Sequence, residues 1–348
     1  MLSVWLTPVP QMGADKKRVS LDHSSIFTVG DRLKKCIKFL RSRRVRRECA
    51  IMPSSPTSHF TDLEKLNSGV IPGDTLGFGG FSIVTFEIIG GIQIAKKKIS
   101  FRSSRESQNV LEEVDILIIL RDHPNIITIQ DWKICDLYGV IFMRFAGRRT
   151  LIELIEEGAI NHNVAFDAIR GVATALAFVH EMGIMHLDVK CDNVIVSDGE
   201  IGISSFKLAD FGLSKKGTMY FKSCGSVSYA APEVLMHNPN YNGQISDVWG
   251  FGVIVTALFT GRLPFDAATA KSRSYCKFQG LLEHGFSPTS ALQNTYENCD
   301  FFDIFETPIG ISFLHRDILN ACLCTAEKRN SIHQILKMCD EDTSIIDL

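Results

Sequence analysis

A short polar pattern between two apolar runs constrains this chain more than any other feature. Residues 186–193 read His-x-Asp-x-Lys-x-x-Asn, and an Asp-Phe-Gly triplet follows at 210–212. With roughly one chance in twenty per fixed position, the first pattern is expected by chance about 10⁻³ times in a chain of this length. Adding the triplet makes coincidence negligible, so we interpret this region as a functional site.

The secondary-structure pattern changes along the chain. Runs rich in β-branched residues at 83–89, 93–99 and 140–145 predict strands, and a helical pattern from Val110 to Ile118 lies between the second and third runs. After Leu151, longer amphipathic stretches predict helices. Strands early and helices late indicate two lobes of different class.

Three glycines, Gly77, Gly79 and Gly80, stand near the entry to the first predicted strand. Such a loop brings backbone N–H groups close to a phosphate because no side chain blocks the approach. When this glycine pattern is taken alone, a bare hairpin turn is the simpler interpretation. A strand follows rather than a helix, which excludes a dinucleotide-binding fingerprint, and no Gly-Lys-Ser/Thr follows, which excludes a Walker A loop.

Lysines 96–98 lie on the next predicted strand, and Glu113 lies on the helix after it. A lysine on a buried strand face needs a partner, and Glu113 is the natural one. The alternative is that these lysines are solvent-exposed.

From Gly77 to about residue 338, the order of these motifs resembles the protein kinase superfamily, and Ala-Ala-Pro-Glu at 230–233 extends the match. The resemblance implies an α+β fold with two lobes, a small antiparallel β-sheet lobe with one helix and a larger, mostly helical lobe. It also implies ATP and Mg²⁺ as cofactors, with Mn²⁺ as a substitute, and protein substrates with Ser or Thr acceptors.

By the same resemblance, the catalytic residues are Asp188, Lys190, Lys97 and Glu113, and the metal ligands are Asn193 and Asp210. Lys97 is chosen over its neighbours because residues 94–97 match the family's Val-Ala-Ile-Lys. Asp188 would accept the substrate hydroxyl proton, and Lys190 would neutralise the transferring phosphoryl group. Lys97, paired with Glu113, would contact the α- and β-phosphates.

The resemblance also implies a nucleotide site built from the glycine loop, an adenine pocket and a hinge. Its residues are Gly77, Phe78, Gly79, Gly80, Phe81, Ser82, Val84, Ala95, Lys97, Met143, Arg144, Ala146 and Ile195. For the apolar members, ordinary core packing is an equally good description. Asp247 would anchor the 186–193 loop from below, and Glu233 would pair with Arg329.

Lys190 and the Gly225-Ser226 pair favour serine/threonine over tyrosine specificity. Ser82 replaces the third glycine of the loop. The more informative departure is Leu187, where most of the family has an arginine; His-Leu-Asp also occurs in Mos-like and some virus-encoded kinases.

The missing arginine ordinarily binds a phosphate on the activation segment through charge-assisted hydrogen bonds. Without it, phosphorylation of Thr218, Tyr220 or Ser223 loses its main receptor. The sequence therefore predicts a kinase that is active without activation-segment phosphorylation.

Two other functions are weighed against this one. A pseudokinase scaffold that binds nucleotide or partners is opposed by the complete set of catalytic and metal-binding residues. A small-molecule kinase of the same fold is disfavoured by residues 229–233, which would build a peptide-binding shelf.

Charge is unevenly distributed along the 348 residues. Residues 1–50 hold 12 Lys/Arg against four acids, a net +8, whereas the whole chain carries −2, which argues against a wholly basic nucleic-acid binder. The basic arm at 32–47 could be a solvated segment, a nuclear localisation signal at 41–47, or a contact for anionic membrane or nucleic acid.

Ten cysteines without a Cys-x-x-Cys pair, and a start that lacks signal-peptide features, predict an intracellular protein of the cytoplasm or nucleus.

The expected organisation has four parts. A basic, flexible arm and linker spans 1–68, the N-lobe 69–146, the C-lobe 147–340 and a C-terminal tail 341–348. The stretch 266–312 is longer than the family usually has, and we interpret it as tolerated loop growth rather than a docking insert.

Overall fold

A computed structural model of the chain describes residues 71–236, 240–296 and 313–346. The basic arm with its 32–47 segment, and the linker that precedes residue 69, lie outside these ranges, as do residues 297–312.

In the described chain, the N-terminal part is one antiparallel sheet with strand order β1-β2-β3-β5-β4. Its strands are β1 (Ile71–Phe78), β2 (Ser82–Ile89), β3 (Ile92–Ser100), β4 (Ile129–Ile134) and β5 (Tyr138–Arg144). The register places Lys97 of β3 opposite Val84 on one side and Ile141 on the other. Lys97 therefore projects from the central strand of the sheet, where the backbone is fixed on both sides.

Helix α1 (Ser104–Leu120) packs against this sheet. It begins after Ser103, whose side chain accepts a hydrogen bond from the Glu106 N–H, and it ends shortly before Pro124, which cannot continue a helix. Val110, Val114 and Leu117 recur at helical spacing and are buried. This face fixes the rotation of α1 and turns Glu113 toward the sheet.

The C-terminal part is mainly helical in the residues described. Its helices are α2 (Leu151–Glu156), α3 (His162–Glu181), α4 (Pro232–Leu235), α5 (Gly243–Thr260), α6 (Arg273–Glu283), α7 (Pro288–Thr295), α8 (Phe313–Cys322) and α9 (Ile332–Ile346). Helix α5 is buried along almost its whole length, so it forms the centre of this core. It starts at the Asn242 cap and ends at Gly261, whose positive φ of 64° suits glycine.

Short strands bring the polar motifs together. They are β6 (Arg149–Thr150), β7 (Ile184–Met185), β8 (Val194–Val196), β9 (Phe206–Leu208), β10 (Lys215–Lys216), β11 (Met219–Tyr220) and β12 (Tyr241–Asn242). Strands β7 and β8 flank the 186–193 loop, and β9 pairs with β8 and leads into Asp210. Strand β10 pairs with β7, and β11 pairs with β12.

The α+β architecture, a small sheet lobe with one helix above a mostly helical lobe, is confirmed. Part of the 266–312 stretch differs from the expected loop growth, because α6 and α7 lie within it. Helix α7 is fixed to α8 by Thr289, whose N–H and hydroxyl both bond to Asn320 Oδ1, at 3.0 and 2.9 Å.

The expected tail from 341 begins inside α9, which continues to Ile346. Among the described residues, no helix has both the length and the apolar character needed to cross a membrane.

Candidate active site

Lys97 lies at the centre of the polar residues that line the cleft, the space between the sheet lobe and the helical lobe. Its Nζ donates to Glu113 Oε1 on α1 and to Asp210 Oδ1 on the opposite side of the cleft, each at 2.7 Å. Glu113 is buried, whereas the Asp210 side chain keeps 51% of its surface exposed. One ammonium group therefore joins the helix of the sheet lobe to the loop after β9.

Electrostatics favour the charged form of this lysine. Burial alone would lower the pKa of Lys97, but the charges and hydrogen bonds of Glu113 and Asp210 outweigh it and raise that pKa above its usual range. Burial also opposes ionisation of Asp210, and Lys97 outweighs it to hold the pKa of that carboxyl below its usual value. Asp210 therefore stays anionic over the physiological pH range.

The 186–193 loop is held from below by Asp247 of α5. The backbone N–H groups of His186 and Leu187 donate to the two Asp247 carboxylate oxygens at 2.8 and 2.7 Å. His180 Nε2 lies 2.9 Å from the same carboxylate. A buried carboxylate thus satisfies backbone donors that would otherwise lack partners.

Two non-glycine residues in the described ranges have a left-handed backbone, Leu187 with φ 67° and Asp210 with φ 58°. Such backbones cost on the order of 1–3 kcal/mol and persist only where surrounding contacts hold them. Asp247 and Lys97 supply those contacts, and both strained residues adjoin the polar cluster.

Asp188 is fixed by three groups. Its Oδ1 accepts from the Ser226 N–H at 2.8 Å, and its Oδ2 accepts from Asn193 Nδ2 at 3.1 Å. Lys190 Nζ lies 3.2 Å from Oδ2 and also donates to the Ser226 hydroxyl at 2.8 Å. The carboxylate is therefore oriented by groups from two separate chain segments.

Neighbouring groups set the tautomer of His186. Burial lowers the pKa of this imidazole, so the ring is neutral. Its Nδ1 accepts from the Asp188 N–H at 3.3 Å, which leaves the proton on Nε2 to bond to the Ala209 carbonyl at 3.1 Å. The ring packs edge-on against Phe211, with 4.8 Å between centroids.

Asn193 and Asp210 offer oxygen donors of the type that suits a hard divalent cation. Asn193 Nδ2 is committed to the backbone carbonyl and the carboxylate of Asp188, which leaves the amide oxygen available. The described residues contain no group of three or more His, Cys, Asp or Glu that could hold a metal. A cation at Asn193 and Asp210 would therefore complete its shell with phosphate oxygens and water.

The glycine-rich loop leaves open space beside its backbone. A Cβ atom built at Gly77 or Gly80 would meet nothing within 4 Å, whereas one at Gly79 would lie 2.5 Å from the Ser82 hydroxyl. Phe78 and Phe81 at its tip are 80% and 79% exposed. Space next to bare backbone amides fits a phosphate chain.

The remaining nucleotide-site residues lie on strands around Lys97. Val84 and Ala95 are on β2 and β3, Met143 and Arg144 end β5, and Ile195 is on β8. Ala95 and Met143 are buried, Val84, Ala146 and Ile195 are partly buried, and Arg144 is exposed. The connection at 145–148 leads from β5 to β6, which pairs with β8.

Sequence reasoning did not assign the links made by Ser226 and Asn125. Asn125 Nδ2 donates to the carbonyls of Ile203 and Phe206 at 2.6 and 2.9 Å, which ties the segment after α1 to the helical lobe. Both links are tertiary contacts, so local pattern carries little signal for them. Arg329 does pair with Glu233, at 2.6 Å from Nη1 to Oε1, as the sequence predicts.

Comparison with known proteins agrees with this geometry. Residues 71–339 match the model of the protein kinase domain. Mouse sperm motility kinase 3A is 31% identical over 221 residues, which is 62% of this chain and 42% of the mouse protein. Probable serine/threonine-protein kinase KCC4 of Saccharomyces cerevisiae is 32% identical over 220 residues, 58% of this chain and 20% of the yeast protein.

Serine/threonine-protein kinase kin-29 of Caenorhabditis elegans is 31% identical over 221 residues, 61% of this chain and 26% of the worm protein. The matches thus span less than half the length of these relatives. The domain match covers most of the chain, and the yeast and worm relatives are named as serine/threonine-protein kinases. The chain belongs to the protein kinase superfamily, on its serine/threonine side.

Proposed function

We propose that this chain transfers the γ-phosphoryl group of ATP to serine or threonine hydroxyls of protein substrates, with Mg²⁺ as the metal. The observation that carries the proposal is Lys97, whose ammonium bonds to both Glu113 and Asp210 at 2.7 Å across the cleft. Phosphoryl transfer needs positioned cations more than covalent chemistry, and this arrangement supplies one.

The upper side of the cleft binds the nucleotide. The backbone amides of the glycine-rich loop, residues 77–82, cover the phosphates, and Lys97 contacts the α- and β-phosphates. Val84, Ala95 and Ile195 enclose the adenine, with Met143 behind it. Arg144 and Ala146 belong to the hinge.

The lower side carries the acceptor chemistry. Asp188 accepts the proton of the substrate hydroxyl, and its orientation is supported by the Ser226 amide and Asn193. Lys190, beside that carboxylate, faces the charge that develops on the transferring phosphoryl group. Asn193 and Asp210 hold the metal, which when bound neutralises charge on the phosphate chain; Mn²⁺ could replace Mg²⁺.

Replacement of Asp188 tests this function. In assays with labelled ATP and a generic acceptor protein, Asp188→Asn should lower the phosphorylation rate by about 10²–10⁴, because the base is lost while the fold remains. Equal signals from wild type and variant would instead favour a scaffold that binds nucleotide without catalysis.

We also propose that activity does not require phosphorylation of the activation segment. Leu187 is buried, as part of the hydrophobic core, and offers no charge to a phosphate. The segment is ordered by unmodified groups: β11 pairs with β12, Tyr241 donates to the Lys222 carbonyl at 2.8 Å, and the Ser223 hydroxyl donates to the Val234 carbonyl at 2.7 Å.

The combined change of Thr218, Tyr220 and Ser223 to alanine tests this second proposal. Activity should stay within severalfold of wild type, because backbone pairing and Tyr241 continue to order the segment. The measurement is the steady-state rate with a peptide acceptor, and a fall to background would contradict the proposal.

For the lobe boundaries and the cellular location, we propose what the sequence predicts. We assign the N-lobe to 69–146 and the C-lobe to 147–340, and we place the protein in the cytoplasm or nucleus. A nucleic-acid or membrane contact would run through the basic arm at 32–47. Loss of a steep salt dependence on removal of residues 1–50 would identify such a nucleic-acid contact.

A further inference from the structure

The side of α1 that faces the activation segment carries two acids beside Glu113. Glu112 Oε2 lies 2.6 Å from Lys215 Nζ, and Asp115 Oδ2 lies 4.0 Å from Lys216 Nζ. Both lysines belong to β10, which begins three residues after Gly212 of the Asp-Phe-Gly triplet. We infer that the Lys215–Glu112 ion pair positions α1 so that Glu113 meets Lys97, which makes Lys215 a positioning residue for phosphoryl transfer.

The backbone around Lys215 is held in place by strand pairing and by a hydrogen bond. Strand β10 pairs with β7, with Lys215 opposite Met185, and β7 leads directly into the 186–193 loop. The buried Ser214, which immediately precedes Lys215, donates its hydroxyl to the His186 carbonyl at 3.1 Å. The Lys215 charge therefore has a defined position relative to the 186–193 loop.

Helix α1 is attached to the helical lobe at one end. Beyond its C-terminus, Asn125 bonds to the helical lobe, and the Ile127 N–H donates to the Leu208 carbonyl at 3.0 Å. Glu112 lies eight residues before Leu120, about 12 Å along the helix at 1.5 Å per residue. A bond at that distance from the tether restrains rotation of the helix about its fixed end.

Charge balance points in the same direction. Glu112, Glu113 and Asp115 place three carboxylates within one helical turn, and like charges three residues apart destabilise a helix. Each of them faces a lysine: Lys215, Lys97 and Lys216 respectively. Without Lys215, the repulsion among these carboxylates is less compensated and Glu112 loses its link to β10, so the position of α1, and of Glu113 on it, is less restrained.

The size of the effect follows from exposure. Glu112 and Lys215 side chains are 45% and 28% exposed, and pairs of this kind contribute about 0.2–1 kcal/mol, a factor of about 1.4–5 in an equilibrium. Reversal of one charge replaces attraction by repulsion, so we expect its effect on the equilibrium to lie at the upper end of this range, a factor of about five. The role rests on the proposed function and deepens it, because a cation of the activation segment already holds α1 without a phosphate.

A charge-swap experiment on the full chain tests this role. Lys215→Glu and Glu112→Lys should each lower kcat/KM for ATP about fivefold, while KM for the peptide acceptor stays unchanged. The double swap should return kcat/KM for ATP to within twofold of wild type, and Lys215→Arg should retain it. A merely structural role would lower the melting temperature of the single variants but leave kcat/KM for ATP unchanged when the folded protein is assayed well below that temperature.

Lys337→Glu is the matched control. It reverses a lysine that pairs with Glu341 on α9, at 77% exposure and outside the site, so kcat/KM should be unchanged. Two outcomes would overturn the positioning role, provided that the wild type is active. In one, Lys215→Glu keeps full activity; in the other, the double swap has a kcat/KM for ATP no higher than that of the single variants. An inactive wild type would overturn the proposed function itself, and with it this role.

Discussion

The two sides of the cleft are built differently. On the upper side, the glycine-rich loop connects two strands, and its phenylalanines are almost fully exposed. On the lower side, the 186–193 loop rests on a buried carboxylate, with backbone donors from His186 and Leu187 bonded to Asp247. The lower side is fixed by buried hydrogen bonds, whereas the upper loop has few contacts with the rest of the protein.

This difference matches the two tasks of a phosphoryl-transfer site. A base must be held within a few tenths of an ångström of its working position, which calls for a rigid support. A nucleotide must enter and leave, which calls for a loop with few contacts. Lys97 belongs to the upper side but is bonded to both, so it connects the fixed and the open parts.

The largest expected effect comes from removing the lower support. Asp247→Ala leaves the N–H groups of His186 and Leu187 without an acceptor, and each unsatisfied buried donor costs about 1–3 kcal/mol. The free energy of unfolding, measured by urea denaturation, should fall by about 3 kcal/mol or more. Asp266 is exposed and provides the matched control, because Asp266→Ala should keep the free energy of unfolding of the wild type. An Asp247→Ala variant as stable as the wild type would contradict a rigid lower side.

A smaller effect concerns the connection between the two sides. Burial, with a contribution from the Lys207 charge, lowers the pKa of His123 to about 4, and His123 stacks on Phe178 two residues before the Asn125 tether. The unfolded chain protonates this histidine near pH 6.5 and the folded chain near pH 4, so stability is full above 6.5 and falls as the pH drops toward 4. Between pH 7 and pH 5 the loss should be about 1–2 kcal/mol.

The measurement is urea denaturation at the two pH values for wild type and His123→Gln. The variant should show a shallower pH dependence, because it removes the group that resists protonation. His333 is exposed on α9, and His333→Gln should keep the wild-type slope. An unchanged slope in the His123 variant would show that other groups cause the acid sensitivity.

The smallest effect is expected on the upper side. Phe81→Ala should leave the free energy of unfolding within about 0.5 kcal/mol of wild type, because the side chain is 79% exposed. KM for ATP should rise about threefold, since in the proposed function the loop covers the phosphates and would lose an apolar side chain at its tip. Leu137, exposed in the turn between β4 and β5, provides the control Leu137→Ala; a large loss of stability in the Phe81 variant would remove the contrast between the two sides.

The sequence predicted the strands and helices with strong patterns. The runs at 83–89, 93–99 and 140–145 correspond to β2, β3 and β5 within two residues at each end. The sequence indicated a strand entry before the glycine-rich loop but gave no bounds for β1, which Pro72, Gly73 and Gly77 interrupt. Strand β4 was not predicted, because it is short and contains the buried Asp131. Tertiary pairing, rather than local propensity, forms both strands.

For the site, the resemblance of the motifs to the protein kinase superfamily predicted which side chains converge, and spacing alone did not. The approach of Lys97 to Glu113 and Asp210 follows from motifs that lie 16 and 113 residues apart. The bond from Ser226 to Asp188, and the ion pair of Lys215 with Glu112, could not be predicted. They depend on where the chain from 213 to 226 lies, and its own pattern does not specify that position.

In the proposed function, the amide of Ser226 makes the alignment of Asp188 depend in part on the segment against which an acceptor peptide would dock. If residues 224–231 are displaced, the chain loses peptide docking and proton acceptance together. In that state Asp188 keeps Asn193 and Lys190 at Oδ2 but loses the amide at Oδ1, so water that reaches the nucleotide meets a carboxylate that is less well aligned. We therefore expect consumption of ATP without an acceptor to stay slow whenever this segment is out of place, so that wasteful turnover is limited by the same bond that supports productive transfer.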